Sequence, residues 1–205
     1  MMSKKQNAQS LGKLGVSGLI VLLFAFDQIT KYLVANSVNI GEVVFSKWGF
    51  GLTYVINRGF TFHLFEQYEA TIPISIILKI LSFFGITLAY RFYKTKYRSN
   101  RLIAFSFIFI IAAFLGNVWD QIILGYARDF IIWPGPGTPN LADVYINIAV
   151  ILYFIELAKN PETDLNFSFD KKTLKKEYGV LKEFVKFSRD EIKLFFKKIF
   201  YAKED

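Results

Sequence analysis

Cysteine is absent from this 205-residue chain, and histidine occurs once, at His63. Disulfides, thiolate nucleophiles and cysteine metal ligands are therefore excluded, and a histidine triad or zinc site has little to build on. Proline is scarce, with five residues, and three of them fall in Trp133-Pro134-Gly135-Pro136-Gly137-Thr138-Pro139, a stretch no helix crosses. Acidic residues are outnumbered, 17 against 25 basic, for a net charge of +8. That excess invites a nucleic-acid reading, but the cations are not spread over a globular surface. Twenty of them lie in residues 1–13, 91–101 and 159–205, all flanking apolar runs. The positive-inside rule predicts this distribution for cytoplasmic segments, so no nucleic-acid partner is expected.

What is present is apolar: 53% of the residues are hydrophobic and 18% aromatic, too much for an ordinary soluble domain. The N-terminus resembles a secretory signal, with Lys4, Lys5 and Lys13 ahead of Leu14 to Phe26. No small-residue cleavage site follows, and apolar character resumes at Tyr32-Leu33-Val34-Ala35. Residues 13–35 are read as a retained first span, with further spans over 71–90, 101–121 and 140–158, each near the ~20 residues a bilayer needs. Residues 42–46 and 50–56 are rich in strand formers around a turn at Lys47-Trp48-Gly49, which predicts a small surface sheet. The expected fold is an all-α membrane protein. It has four transmembrane helices, a small extracytoplasmic β-sheet between helices 1 and 2, and a C-terminal amphipathic helix.

Two parts are expected: a membrane domain over 1–160 and a basic tail over 161–205. Four spans put both termini on the side of the basic segments, N-in and C-in, because the two opposite loops hold only Lys47, Arg58 and Arg128. In the tail, Leu174, Tyr178, Leu181, Val185, Ile192, Phe195 and Ile199 recur at three- or four-residue steps, apart from a skip at Ser188, with lysines opposite. A helix lying on an anionic leaflet is one reading and a solvated helix packing on a partner is the other.

The chemistry concentrates where apolar runs end. Asp120 closes the run Leu102 to Leu115, and Asp143 precedes the run Val144 to Leu157, which puts two carboxylates at matching depth. Ionisable groups there are costly, and two facing carboxyls are a recurring acid/base device. Asp27 and Lys31 are four apart on one helical face, either neutralising one another in a polar interior or snorkelling to the interface. Asn117 lies three residues before Asp120 and shares its face. Asn140 and Asp143 also fit a plain helix start, an N-cap followed by an acid in the first turn. With Asp120 and Asp143 as the pair, the helix start favours charge on Asp143, which leaves the proton on Asp120. That order reverses if the third helix runs on through Leu124.

Five motifs in chain order resemble the lipoprotein signal peptidases (signal peptidase II). They are Asp27-Gln28-Ile29-Thr30-Lys31; Asn57-Arg58-Gly59-Phe60-Thr61-Phe62, like Asn-x-Gly-x-x-Phe; Gly116-Asn117-Val118-Trp119-Asp120, like Gly-Asn-x-x-Asp; Asp129-Phe130; and Asn140-Leu141-Ala142-Asp143, like Asn-x-Ala-Asp. The sequence departs from the family's usual pattern at Gln121 (Arg), Arg128 (an apolar residue), Phe60 and Thr61 (small residues) and Pro139 (Phe). The resemblance, over residues 12–158, implies a four-span bacterial inner-membrane aspartic protease that cleaves prolipoproteins before their lipid-modified cysteine. It implies Asp120 and Asp143 as catalytic residues, with Asp27, Lys31, Asn57, Gly59, Asn117, Asp129, Asn140 and Ala142 supporting substrate and site. It implies no metal or cofactor, a monomer, and a lipid-modified prolipoprotein and membrane lipids as partners. Two other readings stay open: a proton-coupled transporter using the carboxylates as a relay, and a catalytically weak paralogue that binds lipoproteins.

Overall fold

The structure is a computed structural model that describes residues 12–58, 71–97, 101–163 and 170–201. The elements run α1 (Lys13–Ser37), β1 (Val43–Lys47), β2 (Phe50–Asn57), α2 (Thr71–Lys96), α3 (Arg101–Leu124), β3 (Ala127–Ile132), α4 (Leu141–Lys159) and α5 (Lys171–Tyr201). Gly59 to Phe62 of the second motif lie outside the described residues.

Helices α1 to α4 are each long and apolar enough to cross a membrane. The shortest, α4, has 19 residues, which at ~1.5 Å per residue matches a ~30 Å hydrocarbon core. Their large apolar side chains point outward: Leu22, Phe26 and Ile29 on α1, Ile122 and Ile123 on α3, and Ile151 and Phe154 on α4 are all exposed. Lipid offers helices no hydrophobic reason to associate, so close packing of small residues must hold them. Ala112, Ala113 and Gly116 of α3 accordingly face Ala142 and Ala149 of α4 in the buried interface. Ser106 Oγ donates to the Ala149 carbonyl at 2.8 Å, and Tyr145 Oη donates to the Leu23 carbonyl of α1 at 3.2 Å. Helix α2 joins α3 through stacked rings, Phe83 on Phe114 at 4.4 Å and Tyr90 on Phe107 at 4.0 Å.

The expected hairpin forms at the expected turn. Trp48 and Gly49 both take positive φ, 54° and 83°, as a two-residue hairpin turn requires. The structure adds a third strand between α3 and α4, where the sequence had suggested only a loop. Helix α3 stops at Gly125, whose φ of 76° fits the left-handed position after a helix end and whose N–H reaches the Gln121 carbonyl at 3.2 Å. The chain then enters β3, which pairs antiparallel with β2 in the order β1-β2-β3, with Val55 opposite Asp129 and Asn57 opposite Ala127. Because alternate residues share a face, this register puts Asn57 and Asp129 diagonally adjacent on the same side of the sheet.

All four spans outrun their expected ends, most of all α2, which continues to Lys96, and α3, which continues to Leu124. Helix α5 docks on the basic end of α2. Phe92 meets Phe184 and Phe187 with ring centroids 5.4 and 5.6 Å away, Arg91 pairs with Glu191 at 2.8 Å, and Lys96 pairs with Glu183.

Candidate active site

The polar residues of α1, β2, α3, β3 and α4 meet at the sheet end of the helix bundle. Asn140 is the hub. It caps α4 reciprocally: its Oδ1 accepts from the Asp143 N–H at 3.2 Å, and Asp143 Oδ2 accepts from the Asn140 N–H at 3.0 Å. Asn140 Nδ2 then donates to Asp129 Oδ1 at 2.6 Å and to Asn117 Oδ1 at 2.9 Å. The plain helix-start reading is therefore true, and the same capping box fixes Asp143 against α3. Asn117 Nδ2 donates to Asp143 Oδ1 at 3.0 Å, and Asn57 Nδ2 donates to Asp129 Oδ2 at 2.8 Å.

Asp129 and Asp143 are thus two carboxylates joined through one buried asparagine. Asp129 is 2% exposed, whereas Asp143 is partly open to its surroundings. Burial first, and the charge of Asp143 second, push the Asp129 carboxyl up to about 6, against the opposing bonds from Asn57 and Asn140.

A second cluster lies behind the first. Asp27 and Lys31 form an ion pair at 2.9 Å with both side chains fully buried, so the interface-snorkelling reading is overturned. Asp27 Oδ1 accepts from the Ala142 N–H at 3.0 Å, tying α1 to the first turn of α4. Lys31 Nζ donates to Asn117 Oδ1 and the Gly116 carbonyl, each at 3.3 Å. Gly116 has to be glycine, because a Cβ there would sit 2.5 Å from Asp27 Oδ2.

Asp120 belongs to this second cluster. It is fully buried. Arg128 grips it through Nε to Oδ2 at 3.1 Å, Nη2 to Oδ1 at 2.8 Å and the backbone N–H to Oδ2 at 3.1 Å. Lys31 Nζ stands 3.7 Å away. The expectation that the proton of an Asp120–Asp143 pair rests on Asp120 does not fit this setting. Helix α3 does run through Leu124, the condition for reversal, and the Arg128 guanidinium bonds both oxygens of Asp120 with the Lys31 ammonium 3.7 Å away.

Of the ten expected site residues, the nine described ones converge here: Asp120 and Asp143 with Asp27, Lys31, Asn57, Asn117, Asp129, Asn140 and Ala142. Sequence reasoning missed Gln28, Ser75, Lys79, Gln121 and Arg128 as members of the network. Arg128 Nη2 also donates to Gln28 Oε1 at 2.9 Å. On α2, Lys79 Nζ donates to Gln121 Oε1 at 2.8 Å and Ser75 Oγ at 3.0 Å. The alternation of Arg128 and Asp129 in a strand was the available signal, since neighbours in a strand face opposite ways. Among the described residues, no three His, Asp or Glu side chains are grouped as metal ligands.

Comparison with known proteins places this arrangement. The family profile described as Signal peptidase (SPase) II matches residues 19–159. A lipoprotein signal peptidase of Fusobacterium nucleatum is 34% identical over 141 residues, covering 67% of this chain and 82% of that protein. One from Caldicellulosiruptor bescii is 33% identical over 153 residues, covering 72% and 93%. A solved structure described as a bacterial membrane enzyme determined by the in meso method superposes with a TM-score of 0.59 at 25% identity, covering 76% of this chain and 94% of that one. With the profile spanning the four-helix body and every motif residue of the site inside it, the chain belongs to the signal peptidase II, or lipoprotein signal peptidase, family.

Proposed function

We propose that this membrane protease is an aspartic endopeptidase that removes signal peptides from diacylglyceryl-modified prolipoproteins, cutting on the N-terminal side of the lipidated cysteine. Family membership supports the substrate class, and the observation that carries the mechanism is the Asn140 bridge between Asp129 and Asp143. We assign the working pair to Asp129 and Asp143, and give Asp120 the structural task of neutralising Arg128 and Lys31. This replaces the Asp120–Asp143 pair read from the sequence.

Asp129, pushed up to about 6 by burial and by its neighbour's charge, is the acid of the pair in its protonated form. Asp143, whose oxygens accept from Asn117 and the Asn140 backbone, is the base. Asp143 takes a proton from a water as that water's oxygen bonds to the scissile carbonyl carbon. Asp129 gives its proton to the carbonyl oxygen, producing a neutral gem-diol. In the second half Asp143 passes its proton to the amide nitrogen, the C–N bond breaks, and a gem-diol hydroxyl returns its proton to Asp129. The products are the signal peptide's carboxyl group and the free amine of the lipidated cysteine, and the pair is restored.

The charges around the pair agree with one shared proton. Asp27, Asp120, Asp129 and Asp143 face the cations Lys31, Lys79 and Arg128, and a single proton on Asp129 brings the sum to zero. The pair also stands at a helix end under a sheet, where a peptide bond can enter, while a proton relay would run toward the bilayer midplane. The basic segments support N-in, C-in insertion in a bacterial inner membrane, with the site on the outer face where diacylglyceryl chains lie. One chain supplies every residue of the site, so a monomer suffices. Purified protein incubated with a lipidated prolipoprotein should release a fragment that begins at the lipidated cysteine, read by mass. An unlipidated substrate cut at the same rate, or no cut at all, would reject the substrate assignment.

A further inference from the structure

A lysine inside a membrane span needs a reason. We infer that Lys79 is a cation against which the Asp129–Asp143 pair works, a positioning residue for the proteolytic reaction held on α2 by Gln121 and Ser75. The inference rests on the pair proposed above. Asn117 and Gln121 are four apart on α3 and so share one face. The first donates to Asp143 at 3.0 Å, and the second accepts from Lys79 at 2.8 Å. Lys79 therefore sits one helical turn from the contact that orients Asp143, within electrostatic range of both Asp143 and Asp129. Gln121 is 2% exposed and Ser75 fully buried. Gln121 Nε2 donates to Ser75 Oγ at 3.0 Å, and Ser75 Oγ also faces Gln121 Oε1 at 3.3 Å, so the lysine's seat is rigid.

The other cations near the pair have carboxylate partners within 4 Å, although the charge of Lys31 also reaches Asp129. From α1, Lys31 is paired with Asp27, and from β3, Arg128 is paired with the Asp120 of α3. Among the described residues Lys79 has hydrogen bonds but no salt bridge within 4 Å. Its charge is left to act on the two carboxylates. As a fixed positive charge it favours ionisation within the pair and the negative charge that builds on the carbonyl oxygen before the Asp129 proton reaches it.

The test compares Lys79→Met, which fills the space without a buried charge, with Lys79→Arg, in proteolysis of a lipidated prolipoprotein across pH. Lys79→Met should lower kcat about tenfold with KM little changed, and move both limbs of the pH–rate profile upward by about one unit. Lys79→Arg should keep the profile in place. A fall in kcat with an unmoved profile, or no effect, overturns the role of Lys79. If Asp129→Asn proves fully active, the pair itself fails; if it is inactive while Lys79→Met matches the wild type, only this inference fails.

A separate observation concerns α5. One flank carries Glu183, Phe184, Phe187 and Glu191 and is taken up by α2. The neighbouring stripe, Leu174, Tyr178, Leu181, Val185, Phe195 and Ile199, stays exposed. A shallow groove on it joins Tyr178, Leu181 and Val185 to Lys182, Lys186 and Arg189. Apolar and cationic groups side by side, on a helix fastened to the end of a membrane span, match an anionic phospholipid, and we propose that lipid as the occupant. The absence of native cysteine makes single-cysteine dye labelling clean. In full-length protein in nanodiscs, a dye at Leu181→Cys should be quenched by lipid-borne quencher when the lipid is anionic and much less when it is zwitterionic, while one at Asp190→Cys on the opposite flank should not be. Equal exposure of both dyes overturns the proposal. So does protection of Leu181→Cys that tracks protein concentration, which would mark a second copy.

Discussion

Asp129→Asn should cut the rate of prolipoprotein cleavage by about a thousandfold or more and leave the protein more stable at neutral pH. The loss follows from removing the acid of the pair, which general acid–base catalysis values at ~10²–10⁴. The gain follows from the cost of that acid. Its carboxyl stands at about 6 in the fold against 3.8 unperturbed, chiefly through burial and then through Asp143. A raised carboxyl contributes stability that is full below its unfolded value and is lost as pH rises through its folded one. The wild type therefore gives up about 3 kcal/mol of this contribution between pH 4 and pH 7. Asparagine never ionises, so it escapes that loss, but it gives up one accepted hydrogen bond, worth about 1 kcal/mol. The net gain at pH 7.5 should be about 1–2 kcal/mol, read as a raised Tm and a flatter dependence of Tm on pH between 5 and 8. A lower Tm at pH 7.5 would mean that the fold favours the Asp129 carboxylate instead of penalising it, and would remove Asp129 as the acid of the pair.

Asp120→Asn should do the reverse. Its carboxylate neutralises Arg128 through two side-chain contacts and lies 3.7 Å from Lys31, all in a site with no exposed surface on the aspartate. Breaking a buried pair by deleting one partner leaves a buried charge uncompensated and typically costs about 3–5 kcal/mol. The variant should unfold at clearly lower temperature and denaturant, and Asp120→Asn combined with Arg128→Met should recover part of the loss, because no orphaned guanidinium remains. A double variant no more stable than Asp120→Asn would show that Asp120 does something other than hold Arg128.

These opposite expectations separate two aspartates that look alike in the sequence. The spans were legible because each apolar run is long enough to cross a bilayer. The hairpin was legible because residues 50–56 alternate and Trp48-Gly49 can turn. The pairing of Asn140 with Asp143 was legible as a cap, since capping is a local contact three residues long. Which of Asp120 and Asp129 stands beside Asp143 was not. It depends on β3, six residues squeezed between a helix end and a Pro/Gly loop, too short to announce itself beside its apolar neighbours. Once β3 pairs with β2, Arg128 and Asp129 face opposite sides. One folds back onto Asp120, and the other meets Asn57, seventy-two residues away in the chain. The same long reach hid one partner of Lys79, since Gln121 lies on another helix, forty-two residues away, while Ser75 sits one turn back on the same helix.

Asp120 and Asp143 do sit at neighbouring helix ends, but α3 continues one turn past Asp120 before Gly125 stops it. That extra turn buries the aspartate among cations, and the carboxylate brought beside Asp143 is the one that the following strand carries.

The claim at the centre of this account is that proteolysis runs on Asp129 with Asp143, and that Asp120 holds the structure. The most direct measurement is single-turnover cleavage of one lipidated prolipoprotein by Asp120→Asn and Asp129→Asn, each rate normalised to the folded fraction at a temperature where both are folded. Folded Asp120→Asn should cleave within about tenfold of the wild-type rate, and Asp129→Asn should be at least about a thousandfold slower. Cleavage by folded Asp129→Asn near the wild-type rate, with folded Asp120→Asn inactive, would contradict the account.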